Sequence, residues 1–170
     1  LAGEGWDVTS LDFMPAALEM TCARAAAAGL KLTTIEADVT EWEPTDKFDL
    51  VLDHGLLHNM NPDRYPLYRE RVMRGVADDG DFVILHWLKR TPDEPQSEIG
   101  PTRVSREDIQ KFFAPELKER FFAVEEIGGL TKSVGASMAQ GYYWFKRASI
   151  DEKRVKDEVS SGVERAVRGK

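Results

Sequence analysis

The chain has 170 residues and a formal net charge of −7, from 23 Lys and Arg residues against 30 Asp and Glu residues. This length suits a single domain with its own core, and 42% hydrophobic with 31% charged residues excludes wholesale disorder and fibrous repeats. An acidic chain without a basic cluster repels a phosphate backbone, so we expect no nucleic-acid partner. No apolar run is long enough for a membrane helix, and the single cysteine, Cys22, is expected to be packed and favours a reducing, cytoplasmic location.

The first half of the chain alternates predicted strands and helices. Pro15 is typical of a helix start and Gly29 of a helix end, and the unbroken apolar run that begins at Phe48 is typical of a strand buried on both faces. The predicted elements are strands at 6–13, 31–37 and 48–53, helices at 15–28 and 63–76, a turn at 78–80 and a strand at 81–87.

The second half predicts a flap, a short helix and a hairpin. Residues 88–104 are rich in Pro and too long for a simple connection, which predicts an active-site flap. Ser105 and Asp108 resemble a capping box, which predicts a helix running to Pro115. Strands at 121–127 and 140–146 have no helix between them, so they must pair antiparallel.

The predicted fold class is α/β, with a Rossmann-like, mostly parallel sheet, helices on both faces and a C-terminal antiparallel hairpin. We expect one domain over residues 1–147 and a charged C-terminal helix or tail over 148–170. Four valines of the tail are spaced four apart and predict a thin apolar stripe, on a surface helix or a partner-binding one. They are Val155, Val159, Val163 and Val167.

Three of the predicted parallel strands end in an acid. Open parallel sheets bind ligands beyond the carboxyl ends of their strands, where Asp12, Asp38 and Asp53 stand. A strand-end acid can accept two hydrogen bonds from a ribose diol. Taken alone, Asp12 fits equally well as an acid at the N-terminus of the following helix. The set of three favours a nucleotide site.

Three segments stand in the order seen in class I S-adenosylmethionine-dependent methyltransferases, which the chain resembles over about residues 1–146. They are Gly5-x-x-Val8-x-x-x-Asp12-Phe13, Glu36-Ala37-Asp38-Val39 and Phe48-Asp49-Leu50-Val51. The resemblance implies S-adenosyl-L-methionine as the cofactor. It also implies that Asp12 holds the ribose hydroxyls and Phe13 packs on the adenine. Asp38 would accept from the adenine amino group, beside the backbone of Val39.

Residues 48–58 also resemble the small-molecule branch that includes thiopurine and tellurite-resistance methyltransferases. This implies a small-molecule methyl acceptor and places the backbone of Asp53 and His54 by the methionine end of the cofactor. His58 would lie on the following turn. Gly100-Pro101 and Val104-Ser105 fit the same branch.

Methyl transfer is an in-line displacement on a sulfonium, so alignment and water exclusion can suffice without a base. If the acceptor must lose a proton, His58, His54 or His86 can take it near neutral pH, although each also fits as a hydrogen-bonded structural histidine. His54 and His58 are four apart but lack a third ligand, so no metal is expected. Strand-end topology places Arg64, Tyr65, His86 and Trp87 in the acceptor pocket with the flap; the substrate itself has no motif.

The glycine-rich loop that holds the methionine part of the cofactor in this family is not found before Asp12. In the family, a first strand, that loop and a first helix precede this position, and the first strand lies between those of Asp12 and Asp53. We therefore expect that an N-terminal segment of the whole protein precedes Leu1. The alternative is that self-association, in a homodimer, or the C-terminal helix fills the gap.

Two other functions stay open from the sequence. One is a non-catalytic or cofactor-impaired methyltransferase-like protein that self-associates. The other is a nicotinamide-dependent Rossmann dehydrogenase, whose ribose Asp12 would serve equally well. The terminal hairpin and the lack of a Tyr-x-x-x-Lys spacing favour methyl transfer. The acidic charge and the lack of an Asn-Pro-Pro-aromatic signature at Asp53 disfavour nucleic-acid methylation.

Overall fold

The computed structural model describes residues 1–91, 93–96, 101–127 and 138–148. Its strands are β1 (Thr9–Asp12), β2 (Thr33–Glu36), β3 (Phe48–His54), β4 (Val76–Lys89), β5 (Val104–Ser105), β6 (Leu117–Ile127) and β7 (Met138–Arg147). Its α-helices are α1 (Pro15–Ala27), α2 (Tyr65–Gly75) and α3 (Arg106–Phe113), and short 3-10 helices cover Ala2–Glu4, Leu57–Asn59 and Pro62–Arg64. The predicted order of strands and helices is confirmed. Apart from Ala148, the predicted tail over 148–170, with its valine stripe, lies outside the described residues, as does part of the flap.

Helix α1 begins and ends as its sequence predicts. Pro15 occupies the first turn, and Gly29 follows the helix with a φ of 68°, in the left-handed region that glycine tolerates best. The helix packs on β1 and β2 and buries only Leu18. Cys22 is exposed, so the prediction of a packed cysteine is wrong. The physical reason is that one small sheet covers only one side of this helix.

The strands form two sheets rather than one. β1 and β2 pair in parallel, and a second sheet has the order β3-β4-β7-β6, with β5 added beside β4. β3 and β4 are parallel, whereas β7 is antiparallel to both β4 and β6, which confirms the predicted hairpin. Among the described residues, β1 and β3 have no strand on their other edge. This is where the sequence predicted a further strand.

The turn predicted at 78–80 is a bulge at the start of β4. Phe48 and Leu50 of β3 pair with Val76 and Asp81, so residues 77–80 of β4 lie opposite a single residue of β3. Asp79 has a φ of 60°. A Cβ on Gly80 would lie 2.8 Å from a backbone carbonyl oxygen, so only glycine fits there. β4 therefore continues through the bulge as one long strand.

The core lies on one face of the larger sheet, under α2 and α3. Its buried members are Leu57, Tyr68, Val72, Val76, Phe82, Ile84, Ile109, Phe113, Leu117, Tyr143 and Phe145. The opposite face carries an in-register apolar row across four strands, which consists of Leu52, Val83, Trp144 and Phe121. No helix among the described residues covers this row, and Leu52, Trp144 and Phe121 are exposed.

Helix α3 begins at the predicted cap. The Ser105 hydroxyl oxygen accepts from the Asp108 amide at 3.1 Å and donates to the Asp108 carboxylate at 2.8 Å. The helix ends at Phe113, shortly before the predicted stop at Pro115. Within the described part of the chain, no helix has the length and apolar character needed to cross a membrane.

Candidate functional site

The carboxyl ends of β1 and β2 bring the first two acids together. Asp12 pairs in register with Glu36, and the Ala37 amide donates to the Asp12 carbonyl oxygen at 3.1 Å, so Asp38 lies one residue beyond this contact. Oδ1 of Asp12 accepts from the Met14 amide at 2.8 Å, ahead of α1. Oδ2 has no partner among the described residues, and the side chain is half-buried. One carboxylate oxygen therefore remains available to a ligand.

Phe13 lies next to Asp12 with 60% of its surface exposed. An aromatic ring left this open offers a flat apolar face to a planar ligand. Val39, in contrast, is partly buried and packs its side chain against the core under α2. Only its backbone can therefore serve the role that the sequence predicts for it.

The carboxylate of Asp38 has several donors. Oδ1 accepts from the Thr40 amide at 2.9 Å and from the Thr40 hydroxyl at 2.8 Å. Oδ2 accepts from Nη1 of Arg64 at 2.7 Å. Burial raises the pKa of the Asp38 carboxyl, but the hydrogen bonds from Thr40 and Arg64 outweigh it, so the pKa lies below its usual value. Asp38 is ionised at neutral pH.

Asp53 is only 6% exposed and shapes the turn after β3. Its Oδ1 accepts from the Leu56 amide at 2.6 Å, and Oδ2 accepts from the Leu57 amide at 3.1 Å and from the Tyr68 hydroxyl at 2.6 Å. Burial first, and then the Asp53 charge, raise the pKa of Tyr68 far above its usual value, so its proton stays in this bond. The side chain of Asp53 therefore holds the turn together.

Gly55 follows in this turn with a φ of 97°. A Cβ on this residue would lie 2.9 Å from the imidazole ring of His58. Glycine is thus required twice, for the backbone conformation and for the space that the imidazole fills.

Two predicted bases, His58 and His86, meet below the turn. Their ring centroids are 5.3 Å apart in an edge-to-face arrangement, and the ring of Trp87 lies 6.1 Å from His58. His86 is 1% exposed and its Nδ1 lies 2.9 Å from the Trp87 carbonyl oxygen, so Nδ1 carries the proton. Nδ1 of His58 and Nε2 of His86 are buried without a partner among the described residues. His54, in contrast, is exposed at the end of β3.

Both buried imidazoles are neutral at pH 7. Burial lowers the pKa of His58 below its usual value, against the opposing charge of Asp53. Burial also lowers the pKa of His86 to about 4, although its bond to the Trp87 backbone acts in the other direction. A neutral imidazole can accept a proton, so this pair keeps the chemistry of a weak base.

The four residues predicted for an acceptor pocket lie in three places. Arg64 contacts Asp38, in the cofactor half of the predicted site. The ring of Tyr65 packs edge-on against Phe112 of α3, with 6.0 Å between centroids. Only His86 and Trp87 lie together, beside His58. Within the described ranges, no three His, Cys, Asp or Glu side chains are placed to hold a metal ion.

Sequence reasoning missed Thr40 and Tyr68. The Asp38-x-Thr40 spacing is a signal for a local turn in which the acid accepts from the residue two positions on. Tyr68 had a weaker signal: a carboxylate that ends a strand buried on both faces needs donors, and the following helix is the nearest source.

The chain is similar to known methyltransferases. A family model described as a methyltransferase domain matches residues 1–80. A 2-heptyl-1-hydroxyquinolin-4(1H)-one methyltransferase of Mycobacteroides abscessus is 26% identical over 129 residues, which are 75% of this chain and 54% of that protein. The chain thus spans about half the length of this curated relative.

Two solved structures share the fold. TehB from Haemophilus influenzae aligns with a TM-score of 0.71 and 14% identity, over 87% of this chain and 52% of that one. Burkholderia thailandensis 1,6-didemethyltoxoflavin-N1-methyltransferase, solved with 1,6-didemethyltoxoflavin and S-adenosylhomocysteine, aligns with a TM-score of 0.62 and 17% identity, over 86% and 64%. These matches confirm the α/β fold.

Proposed function

We propose that the complete protein transfers a methyl group from S-adenosyl-L-methionine to a small molecule, on the premise that this chain belongs to the class I S-adenosylmethionine-dependent methyltransferase family. The proposal rests on the two carboxylates after β1 and β2, each of which keeps a hydrogen-bond acceptor position without a described partner. Asp12 has one oxygen without a described partner, and Asp38 stands one residue beyond the backbone contact that joins the two strands.

The residues present fit the nucleoside part of the cofactor. The carboxylate of Asp12 suits a ribose diol, because its Oδ2 is open while Oδ1 holds the start of α1. Phe13 offers an uncovered ring for the adenine, and the ionised Asp38 is an acceptor for the adenine amino group, beside the Val39 backbone. The turn of Asp53, His54 and Gly55 supplies backbone for the methionine end.

The cofactor, when bound, supplies a methyl group on a sulfonium, so the protein's task is to align an acceptor and exclude water. His58 and His86 lie beside Trp87, near the end of β4, where ligands of such sheets bind. We assign His58 the role of proton acceptor in cases where the acceptor must ionise, with His86 and Trp87 lining the pocket. His54 is the alternative base, since it is exposed at the same edge.

A thermal-shift titration of the complete protein with S-adenosylhomocysteine tests cofactor binding. We expect the melting temperature to rise with ligand concentration, and Asp12→Asn to abolish most of that rise. Asparagine keeps an oxygen for the Met14 amide but loses the anionic pair that a diol needs. Asp49→Asn is the matched control, because Asp49 is exposed near the amino end of β3, away from the carboxyl ends of the strands. If millimolar S-adenosylhomocysteine does not raise the melting temperature, the proposal is contradicted.

The methyl acceptor is tested by turnover. Hydroxylated heteroaromatic compounds are the first panel, since the Mycobacteroides relative is named for a hydroxyquinolinone. Transfer of labelled methyl to any member supports an enzyme, whereas binding of S-adenosylhomocysteine without turnover on a broad panel supports the non-catalytic alternative. Stabilisation by NADH instead would support the dehydrogenase, which the family membership disfavours.

The predicted homodimer and compartment belong to the same proposal. The single cysteine supports a reducing, cytoplasmic setting. A mass measurement in solution decides between a monomer and a dimer of the complete protein.

A further inference from the structure

Arg64 is the one predicted acceptor-pocket residue that the fold carries to the adenine side. It ends the 3-10 helix Pro62–Arg64 that follows β3, whereas Asp38 follows β2 in the other sheet. Its Nη1 lies 2.7 Å from Oδ2 of Asp38, and its Nη2 hydrogen-bonds the Thr40 hydroxyl oxygen. Glu41 is 3.9 Å away, at the edge of ion-pair range. The Arg64 guanidinium therefore links the segment after β3 of the larger sheet to the Asp38 carboxylate, which follows β2 of the smaller sheet.

The hydrogen bonds of Asp38 leave little acceptor capacity. An ionised carboxylate offers about four lone-pair positions on its two oxygens. The Thr40 amide and hydroxyl take both positions of Oδ1, and Arg64 takes one of Oδ2. The described residues thus leave one position, on Oδ2, for a further donor.

The loop around Asp38 is also held by arginines other than Arg64. Glu43 on the same loop pairs with Nη1 of Arg71 at 2.6 Å and also with Arg74. Nε of Arg71 donates to the Thr40 carbonyl oxygen at 3.4 Å. Two arginines of α2 therefore hold the loop, and Arg64 acts on the carboxylate itself.

We propose that Arg64 is a positioning residue that fixes the Asp38 carboxylate with a single acceptor position open, and so selects a 6-amino purine over a 6-oxo purine. The inference rests on the proposed function and deepens it. An adenine amino group brings one hydrogen to that position. A 6-oxo purine places a carbonyl oxygen at that position, which the ionised carboxylate repels, and its N1–H lies one ring atom away, so the arrangement penalises the deaminated ring.

The test compares S-adenosylhomocysteine with its deaminated analogue, S-inosylhomocysteine, by calorimetric titration of the complete protein. We expect the wild type to prefer the amino form, and Arg64→Met to bind the amino form about ten-fold more weakly, because a charge-assisted contact that orients the acceptor is lost. The inosine form should change little, so the ratio of the two affinities falls. Arg64→Lys, which keeps one charged donor, should lie between the two.

Arg74→Met is the matched control. It removes an arginine of α2 without touching Asp38, and Arg71 still holds the loop through Glu43 and the Thr40 carbonyl oxygen, so both affinities should equal those of the wild type. Melting temperatures without ligand show whether each variant is folded. If Arg64→Met does not fold, Arg64→Lys decides by the same ratio.

Two results overturn the inference. An unchanged ratio in the Arg64 variants removes the selectivity role, and if both affinities fall equally Arg64 is merely structural. A gain in affinity on Arg64→Met would make the arginine a competitor for Oδ2. In each of these cases the proposed function stands, whereas failure of the wild type to bind S-adenosylhomocysteine removes both.

Discussion

Asp12 and Asp53 both lie at the carboxyl end of a parallel strand, yet their carboxylates differ in burial and in hydrogen bonding. Asp12 gives one oxygen to the Met14 amide and leaves the other open. Asp53 is buried and accepts three hydrogen bonds from its own turn and from Tyr68. A buried carboxylate whose donors all come from its own turn and the following helix holds structure, and a carboxylate with an oxygen left without a described partner is available to a ligand. Position in the sheet alone does not separate these roles.

The strongest test of this difference is removal of the buried acid. Asp53→Ala leaves two amides and the Tyr68 hydroxyl without their acceptor, so we expect a loss of about 3–5 kcal/mol in the free energy of unfolding. Urea denaturation measures it. Asp12→Ala should cost about 1 kcal/mol, since only the single bond at the start of α1 is lost. Equal losses of unfolding free energy in Asp53→Ala and Asp12→Ala would contradict the distinction between a structural and a ligand-binding acid.

Acid should weaken the buried pair of His58 and His86. The folded pKa of His86 is about 4, below the unfolded value near 6.5, so the unfolded chain takes up a proton first as the pH falls. Stability from this group is complete above pH 6.5 and declines down to about pH 4, by about 3 kcal/mol. His58 acts in the same direction.

His86→Leu serves as the control for this pH effect. The variant should lose most of the slope of unfolding free energy between pH 6.5 and 4, whatever its stability at pH 7. A slope identical to that of the wild type would show that His86 is not held neutral.

The glycine of the buried turn should be harder to replace than one outside it. Gly55→Ala meets a left-handed backbone and the His58 ring at once, so we expect a cost of about 2–3 kcal/mol. Gly29→Ala, at the end of α1, meets open space and should cost about 1 kcal/mol. Thermal unfolding of both variants gives the comparison, and a smaller cost at Gly55 contradicts it.

The hydroxyl of Tyr68 should make the smallest of these contributions. Tyr68→Phe leaves Asp53 with its two amide donors, so we expect a loss of about 1–2 kcal/mol. Tyr142→Phe removes the same kind of bond, to Glu125, on the exposed surface and should cost at most about 0.5 kcal/mol. Urea denaturation compares them; costs that do not differ would mean that burial adds nothing at Asp53.

Local patterns were enough to predict most elements and the two strand-end acids of the small sheet. Pro15 and Gly29 bound α1 because their backbone preferences act within one turn, and the cap at Ser105 is equally local. Contacts between distant residues were not predictable in this way. Arg64 reaches Asp38 across 26 positions, and the exposure of Cys22 depends on what α1 packs against.

The same limit applies to Asp53. Its strand-end position predicted a place beside the cofactor, and nothing local showed that Tyr68, 15 positions later, donates to its carboxylate. The split into two sheets, in contrast, agrees with the resemblance, which places a further strand between those of Asp12 and Asp53. Pairing partners, rather than propensity, decide that outcome.

The measurement that most directly tests the account pairs two variants in one experiment. S-adenosylhomocysteine affinity by calorimetry and unfolding free energy by urea are measured for Asp12→Asn and Tyr68→Phe. We predict that Asp12→Asn loses affinity with little change in stability, and that Tyr68→Phe loses stability with its affinity retained. The opposite assignment, or variants that lose both together, would contradict the division between a ligand-binding acid and a structural one.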